Sequence, residues 1–178
     1  MSETPSSLSD VLAIALHNER RGYEILKDGE GAAKTPLGKA TFEFLANEEI
    51  NHMRLIEAFA GSIDTGAAWP PGEMTPLTKR DAGAKIKSIF DKCAAEFGKA
   101  GEHGEERMDI YEAALQMERH GHHFYSQAAN QTTDERAKKL YEFLANEESR
   151  HYELIQDTRD FLELPDALLA IEERWMTI

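Results

Sequence analysis

Residues 42–56 read FEFLANEEINHMRLI, and residues 141–155 read YEFLANEESRHYELI. Ten of the fifteen positions are identical at an offset of 99 residues. Each copy holds a Glu-x-x-His pair, Glu49 with His52 and Glu148 with His151. The same offset carries upstream without a gap. ALHNERRG (15–22) then falls on ALQMERHG (114–121) and pairs Glu19 with Glu118. Self-similarity at a fixed offset marks a duplicated structural unit. Apolar residues recur at helical spacing through both copies, so the unit is a pair of helices and the chain is two helical hairpins.

The spacing predicts four long helices. The first runs from about Ser9, its N-cap, to Lys27, with Gly29 and Gly31 ending it. The second starts at Thr35-Pro36, a cap followed by proline in the first turn, and runs to about Ala60, where Gly61 stops it. The third spans about Glu105 to Ala129. The fourth follows Thr133, carries Asp134 and Glu135 in its first turn, and ends near Leu162 before Pro165. Hairpin 1 thus covers about 9–60 and hairpin 2 about 105–162. The crossover, 61–104, opens with a Gly- and Pro-rich loop and continues as a shorter amphipathic helix at about Lys79–Phe97. A short tail helix is expected at about 165–176. A four-helix bundle with one long crossover is the all-α architecture that fits, as a single domain over 1–178.

Composition agrees. The chain has 178 residues, the size of one domain, and 41% hydrophobic residues, enough for a core. Its formal charge of −13 argues against nucleic acid and against an anionic membrane surface. One cysteine, Cys93, excludes an internal disulfide and a Cys-x-x-Cys knuckle, and reads as a buried structural thiol. No run is long and apolar enough to span a bilayer, and the first residues carry no secretory pattern. The expected location is the cytoplasm.

The repeat also carries the chemistry. Glu and His three residues apart share one face of a helix. Glu49 and His52 fall on the side of Leu45, Ala46, Leu55 and Ile56, which is the side a bundle buries. Glu19 and Glu118 each stand 30 residues before the following motif's Glu and come level with it in an antiparallel hairpin. Glu19, Glu49, His52, Glu118, Glu148 and His151 then meet at the centre. Four buried carboxylates repel one another unless cations neutralise them, and two divalent ions per chain match their charge. Carboxylate with imidazole suits Fe, Mn or Zn. A lone Glu-x-x-His is expected by chance in so acidic a chain; two at equivalent positions of a repeat, each with a paired Glu, are not. This donor set is that of di-metal carboxylate bundles.

Other residues carry weaker readings. His122, one turn after Glu118, is a candidate extra ligand or supporting donor. Tyr23, at the symmetric place, and Tyr125, two turns after Glu118, are candidates to hydrogen-bond a ligand carboxylate. His17, His103, His120 and His123 read as surface or local contacts. Glu48 and Glu147 lie about 100° round the helix from the motif Glu, so solvent exposure is expected.

IYEAALQMERHGHHFY (110–125) resembles the third helix of rubrerythrin-like proteins in the ferritin-like superfamily. There a Glu is followed by a small residue at +3 and Phe-Tyr at +6 and +7; here these are Glu118, Gly121, Phe124 and Tyr125. LANEESRHYELI (144–155) resembles their fourth helix. The resemblance covers the four long helices and implies a ferritin-like bundle with the six Glu and His above as di-iron ligands. It implies reduction of hydrogen peroxide or oxygen by electrons from an external donor protein. Two features depart from the pattern. Typical members carry a further Glu where this chain has Gly121, with Gly22 at the symmetric place, and a rubredoxin-like domain with two Cys pairs, which this sequence does not contain. Ferroxidase and iron storage, or a non-catalytic zinc-holding helical module, are the alternatives. The amphipathic crossover offers surface for a homo-oligomer, a dimer being favoured.

Overall fold

The computed structural model describes residues 7–65, 88 and 107–163. Four long helices account for most of them: α1 (Leu8–Ala32), α2 (Pro36–Thr65), α3 (Met108–Gln131) and α4 (Glu135–Glu163). At 24 to 30 residues they are roughly 36–45 Å long. Three-residue connections, 33–35 and 132–134, fold α1 on α2 and α3 on α4 as hairpins. The hairpins meet through α1 against α3 and α2 against α4. This is the all-α, ferritin-like four-helix bundle. Of the predicted crossover helix only Ser88 is described, and it is helical; the rest of that helix with Cys93, the His103 beyond it, and the predicted tail helix lie outside the described residues.

The helix ends refine the sequence reading. The N-cap of α1 is Ser7, two residues before Ser9. Ser7 Oγ accepts from the Asp10 amide at 3.2 Å, and the Ser7 amide donates to Asp10 Oδ2 at 3.1 Å. Only Ser7 has an acidic residue at the reciprocal position of a capping box; Ser9 has Leu12 there. Thr35 caps α2 as expected, its Oγ1 accepting from the Gly38 amide at 3.1 Å. Asp134 precedes α4 and caps it, its Oδ1 accepting from the amides of Arg136 and Ala137.

Two expected stops are not stops. Helix α1 continues through Gly29 and Gly31 to Ala32, and α2 runs through Gly61 to Thr65. Gly29 serves a close approach: a Cβ there would stand 2.8 Å from ring carbons of Phe42. A Cβ at Gly61 would meet nothing within 4 Å among the described residues, and the glycine is simply tolerated in an exposed turn, at a cost of about 1 kcal/mol relative to Ala.

The core divides in two. Leu26, Leu37, Phe42, Leu45, Tyr111 and Ile155 belong to one buried cluster. Leu12, Ile56, Phe59, Tyr125, Leu140 and Leu144 belong to the other. On every helix the apolar stripe is interrupted between the clusters by a buried glutamate: Glu19, Glu49, Glu118 and Glu148. No helix among the described residues is long and apolar enough to cross a membrane.

Candidate metal centre

Each helix delivers one glutamate to this band, and α2 and α4 add a histidine one turn on. Glu19, Glu49, His52, Glu118, Glu148 and His151 are each at most 4% exposed. Their donor atoms form two overlapping groups. Glu19, Glu49, His52 and Glu148 each offer one atom within 4.8 Å of the others; so do Glu49, Glu118, Glu148 and His151. Glu49 and Glu148 belong to both groups. The remaining carboxylate and imidazole of each group come from one hairpin: Glu19 and His52 from α1–α2, Glu118 and His151 from α3–α4. The pseudo-twofold of the repeat is therefore the symmetry of the site.

Contacts within the site are close. His52 Nδ1 lies 3.0 Å from Glu19 Oε2, 3.7 Å from Glu49 Oε2 and 3.6 Å from Glu148 Oε1. His151 Nδ1 lies 3.5 Å from Glu49 Oε1 and 3.6 Å from Glu118 Oε2. The two imidazoles stack, with centroids 5.2 Å apart and planes 12° from parallel. Tyr125 donates its hydroxyl to Glu19 Oε1.

Metal-free, the site is electrostatically strained. Burial, then the neighbouring Glu49 charge, pushes the Glu19 carboxyl up to about 8. Burial raises Glu118 and Glu148 well above the carboxylate range, with the Glu49 charge adding to it. Glu49 moves the other way: the neighbouring Glu19 carboxyl and the two imidazoles, 3.5 and 3.7 Å away, favour its charged form and outweigh its burial. Burial alone would lower both histidines, yet Glu19 and Glu49 hold His52 well above its ordinary value, and Glu49 raises His151. Protons stand in for the missing positive charge. Cation binding must displace them.

The donor set fits a pair of cations on its own evidence. Glu49 Oε1, both Glu118 oxygens, Glu148 Oε1 and His151 Nδ1 are buried and make no hydrogen bond among the described residues. Buried polar atoms are nearly always satisfied, so five orphans in one pocket, all carboxylate or imidazole, call for a ligand. Oxygen donors with imidazole suit Fe, Mn or Zn.

A search against family models matches residues 10–158 to Rubrerythrin. The chain belongs to the rubrerythrin family. No curated protein and no solved structure matches it. The match spans all four helices and every residue of the two donor groups, which supports reading the buried Glu and His cluster as this family's di-iron site.

Not every sequence-predicted residue reaches the centre. Tyr23 is half-buried and packs on an apolar cluster, with no hydrogen bond to a ligand carboxylate among the described residues. His122 is exposed. Four residues turn the helix about 40° past Glu118, and at that level the flank faces solvent. His17, His120 and His123 are exposed as well.

One residue reverses its expectation. Glu147 is buried, not solvated, and binds the guanidinium of Arg150. It also groups with His52 and His151, each offering an atom within 4.8 Å of the others. Its repeat mate Glu48 is half-buried and faces Asn51 at 3.4 Å. The available signal was the one change in the repeat that adds a charge, Asn51 to Arg150. A guanidinium three residues on can accompany a carboxylate into a partly buried place.

Proposed function

We propose that this rubrerythrin-family chain is a di-iron oxidoreductase that reduces hydrogen peroxide or oxygen with electrons from an external protein donor. The observation that carries the reading is the pair of four-donor groups sharing Glu49 and Glu148. Bound there, two ferrous ions would supply two electrons, one each, for cleaving an O–O bond.

The chain's own residues set the conditions. Glu49 and Glu148 belong to both donor groups, so they would help to hold each of two cations. Glu19 with His52, and Glu118 with His151, complete the two ends. Tyr125 fixes one oxygen of Glu19 and leaves the other beside His52. The apolar clusters above and below exclude water along the bundle axis. Access comes from the side: a cleft of about 400 Å³ between α1 and α3 reaches Glu19, Glu49 and Glu148.

The test is oxidation of anaerobically iron-loaded protein by peroxide and by oxygen, side by side in stopped flow. Faster reaction with peroxide, ending at two irons per chain, is the expected result, with Glu148→Ala slowed at least about 100-fold. Unchanged turnover in Glu148→Ala would overturn the assignment. Faster reaction with oxygen, continuing beyond two irons per chain, would replace it with ferroxidase and storage. We further propose a homodimer, read by elution at twice the chain mass.

A further inference from the structure

The cleft between α1 and α3 is more than a passage for a diatomic or peroxide-sized oxidant. Its volume of about 400 Å³ falls within the range of small-molecule pockets. Two glycines related by the repeat, Gly22 and Gly121, line it over the shared carboxylates. A Cβ on Gly121 would stand 2.7 Å from Glu148 Oε2, and one on Gly22 would stand 3.2 Å from Met117 Sδ and 3.4 Å from Glu49 Cδ. Both helices therefore shed their side chains where the cleft meets its floor.

The rim has a different character from the floor. The repeat places Arg21 and His120 at equivalent positions, each directly before its glycine, and both line the cleft. Asn18 and Gln116 add amide groups, while Ile25, Ala113 and Met117 supply an apolar wall. In a chain of formal charge −13, a guanidinium at this mouth runs against the general field. Its planar fork matches a carboxylate.

We propose that the cleft is a binding site for a small organic acid. Its carboxylate is held at the rim by Arg21 and His120, its apolar body lies along Ile25, Ala113 and Met117, and its far end reaches the shared carboxylates Glu49 and Glu148. The proposal adds an organic ligand to the centre described above, and it rests on that centre holding metal, whose positive charge would let an acid approach a floor of carboxylates.

The test uses the full chain loaded with zinc, with metal content measured first. Hexanoate and hexanol are then titrated by calorimetry. Hexanoate should bind about five-fold more tightly than hexanol, and Arg21→Gln should remove that preference, the scale of one exposed charge pair. Ala113→Trp, at an exposed rim position, should block both probes. Equal affinity for the two probes would overturn the proposal. Hexanoate affinity unchanged in both variants would do the same, since the acid would then sit on the metal from another side. Failure to retain zinc, seen in the metal content before any probe is added, would instead overturn the metal centre and with it the proposal that rests on it.

Discussion

Tyr125 of α3 reaches across the bundle and donates its hydroxyl to Glu19 of α1, so one hairpin fixes a metal-ligand candidate of the other. Burial and the Glu19 charge raise the Tyr125 phenol well above its ordinary value, which keeps it a donor at neutral pH. Loss of a group that orients a ligand typically costs 10- to 100-fold in metal affinity. Tyr125→Phe should therefore weaken zinc binding by about 10-fold, measured by competition with a chelator, while the metal-free protein keeps its helical signal. Unchanged affinity would show that Glu19 needs no such support.

Gly121 and Gly22 occupy equivalent places but not equivalent spaces. A Cβ at 121 would crowd Glu148 Oε2 at 2.7 Å, whereas at 22 it would meet Glu49 Cδ at 3.4 Å, an ordinary contact. In helix interiors Gly→Ala gains about 1 kcal/mol. Gly121→Ala should accordingly keep or raise the melting temperature without metal yet weaken metal binding, because the carboxylate end moves aside. Gly22→Ala should cost distinctly less metal affinity. Parallel melts and metal titrations of both variants check this, and equal losses of affinity would contradict it.

Without metal, stability should fall as pH rises through neutrality. Glu19 titrates at about 8 in the folded chain against 4.5 as its ordinary value, so the folded state holds a proton there that the unfolded state has lost. Its contribution is fully present below about pH 4.5 and gone above about pH 8. Glu118 and Glu148 act in the same direction, and so do the raised histidines, whose contribution is lost above their ordinary 6.5. Glu49, lowered, acts oppositely, but its contribution is lost only in acid. From pH 6 to 9 the melting temperature of the chelator-treated protein should drop by more than about 5 °C, the scale of two or so kcal/mol for a chain this size. The zinc-loaded protein should show little change over that window. A flat profile without metal would contradict the charge balance described.

Two glycines that look alike in sequence should respond oppositely to alanine. At Gly29 the added methyl meets the Phe42 ring at 2.8 Å, in a buried crossing of α1 and α2. Overpacking of this kind costs about 1–3 kcal/mol. At Gly61 nothing among the described residues lies within 4 Å of it, so Gly61→Ala should stabilise by about 0.5–1 kcal/mol. Denaturant melts of the two variants decide it; stabilisation by Gly29→Ala would show that the helices can part at that crossing.

The repeat made the bundle and the six converging donors legible because both rest on periodicity: spacing fixes which residues share a helix face, and the offset fixes which faces are equivalent. What the neighbouring helix covers is not written in that spacing. Glu147 reads as solvated by its angle from Glu148, yet it is buried beside a partly buried Arg150, since burial there depends on what the rest of the bundle covers and on an opposite charge three residues away. His122 falls on the inner side by angle, yet no described residue covers it and it is exposed. Gly29 reads as a helix end because a glycine's two uses, a break and a close approach, look the same until Phe42 is known to lie opposite. Tyr125 was visible as an inward phenol, but its partner on α1 required the bundle.

The most direct test of the account is metal stoichiometry across four single-alanine variants, by mass spectrometry of the intact, gently desalted protein. The unsubstituted chain should hold two ions. Glu49→Ala and Glu148→Ala, which remove a donor common to both groups, should lose both. Glu19→Ala and Glu118→Ala, which remove a donor from one group, should keep one. A single ion in the unsubstituted chain, or two ions retained without Glu148, would contradict a centre built on shared carboxylates.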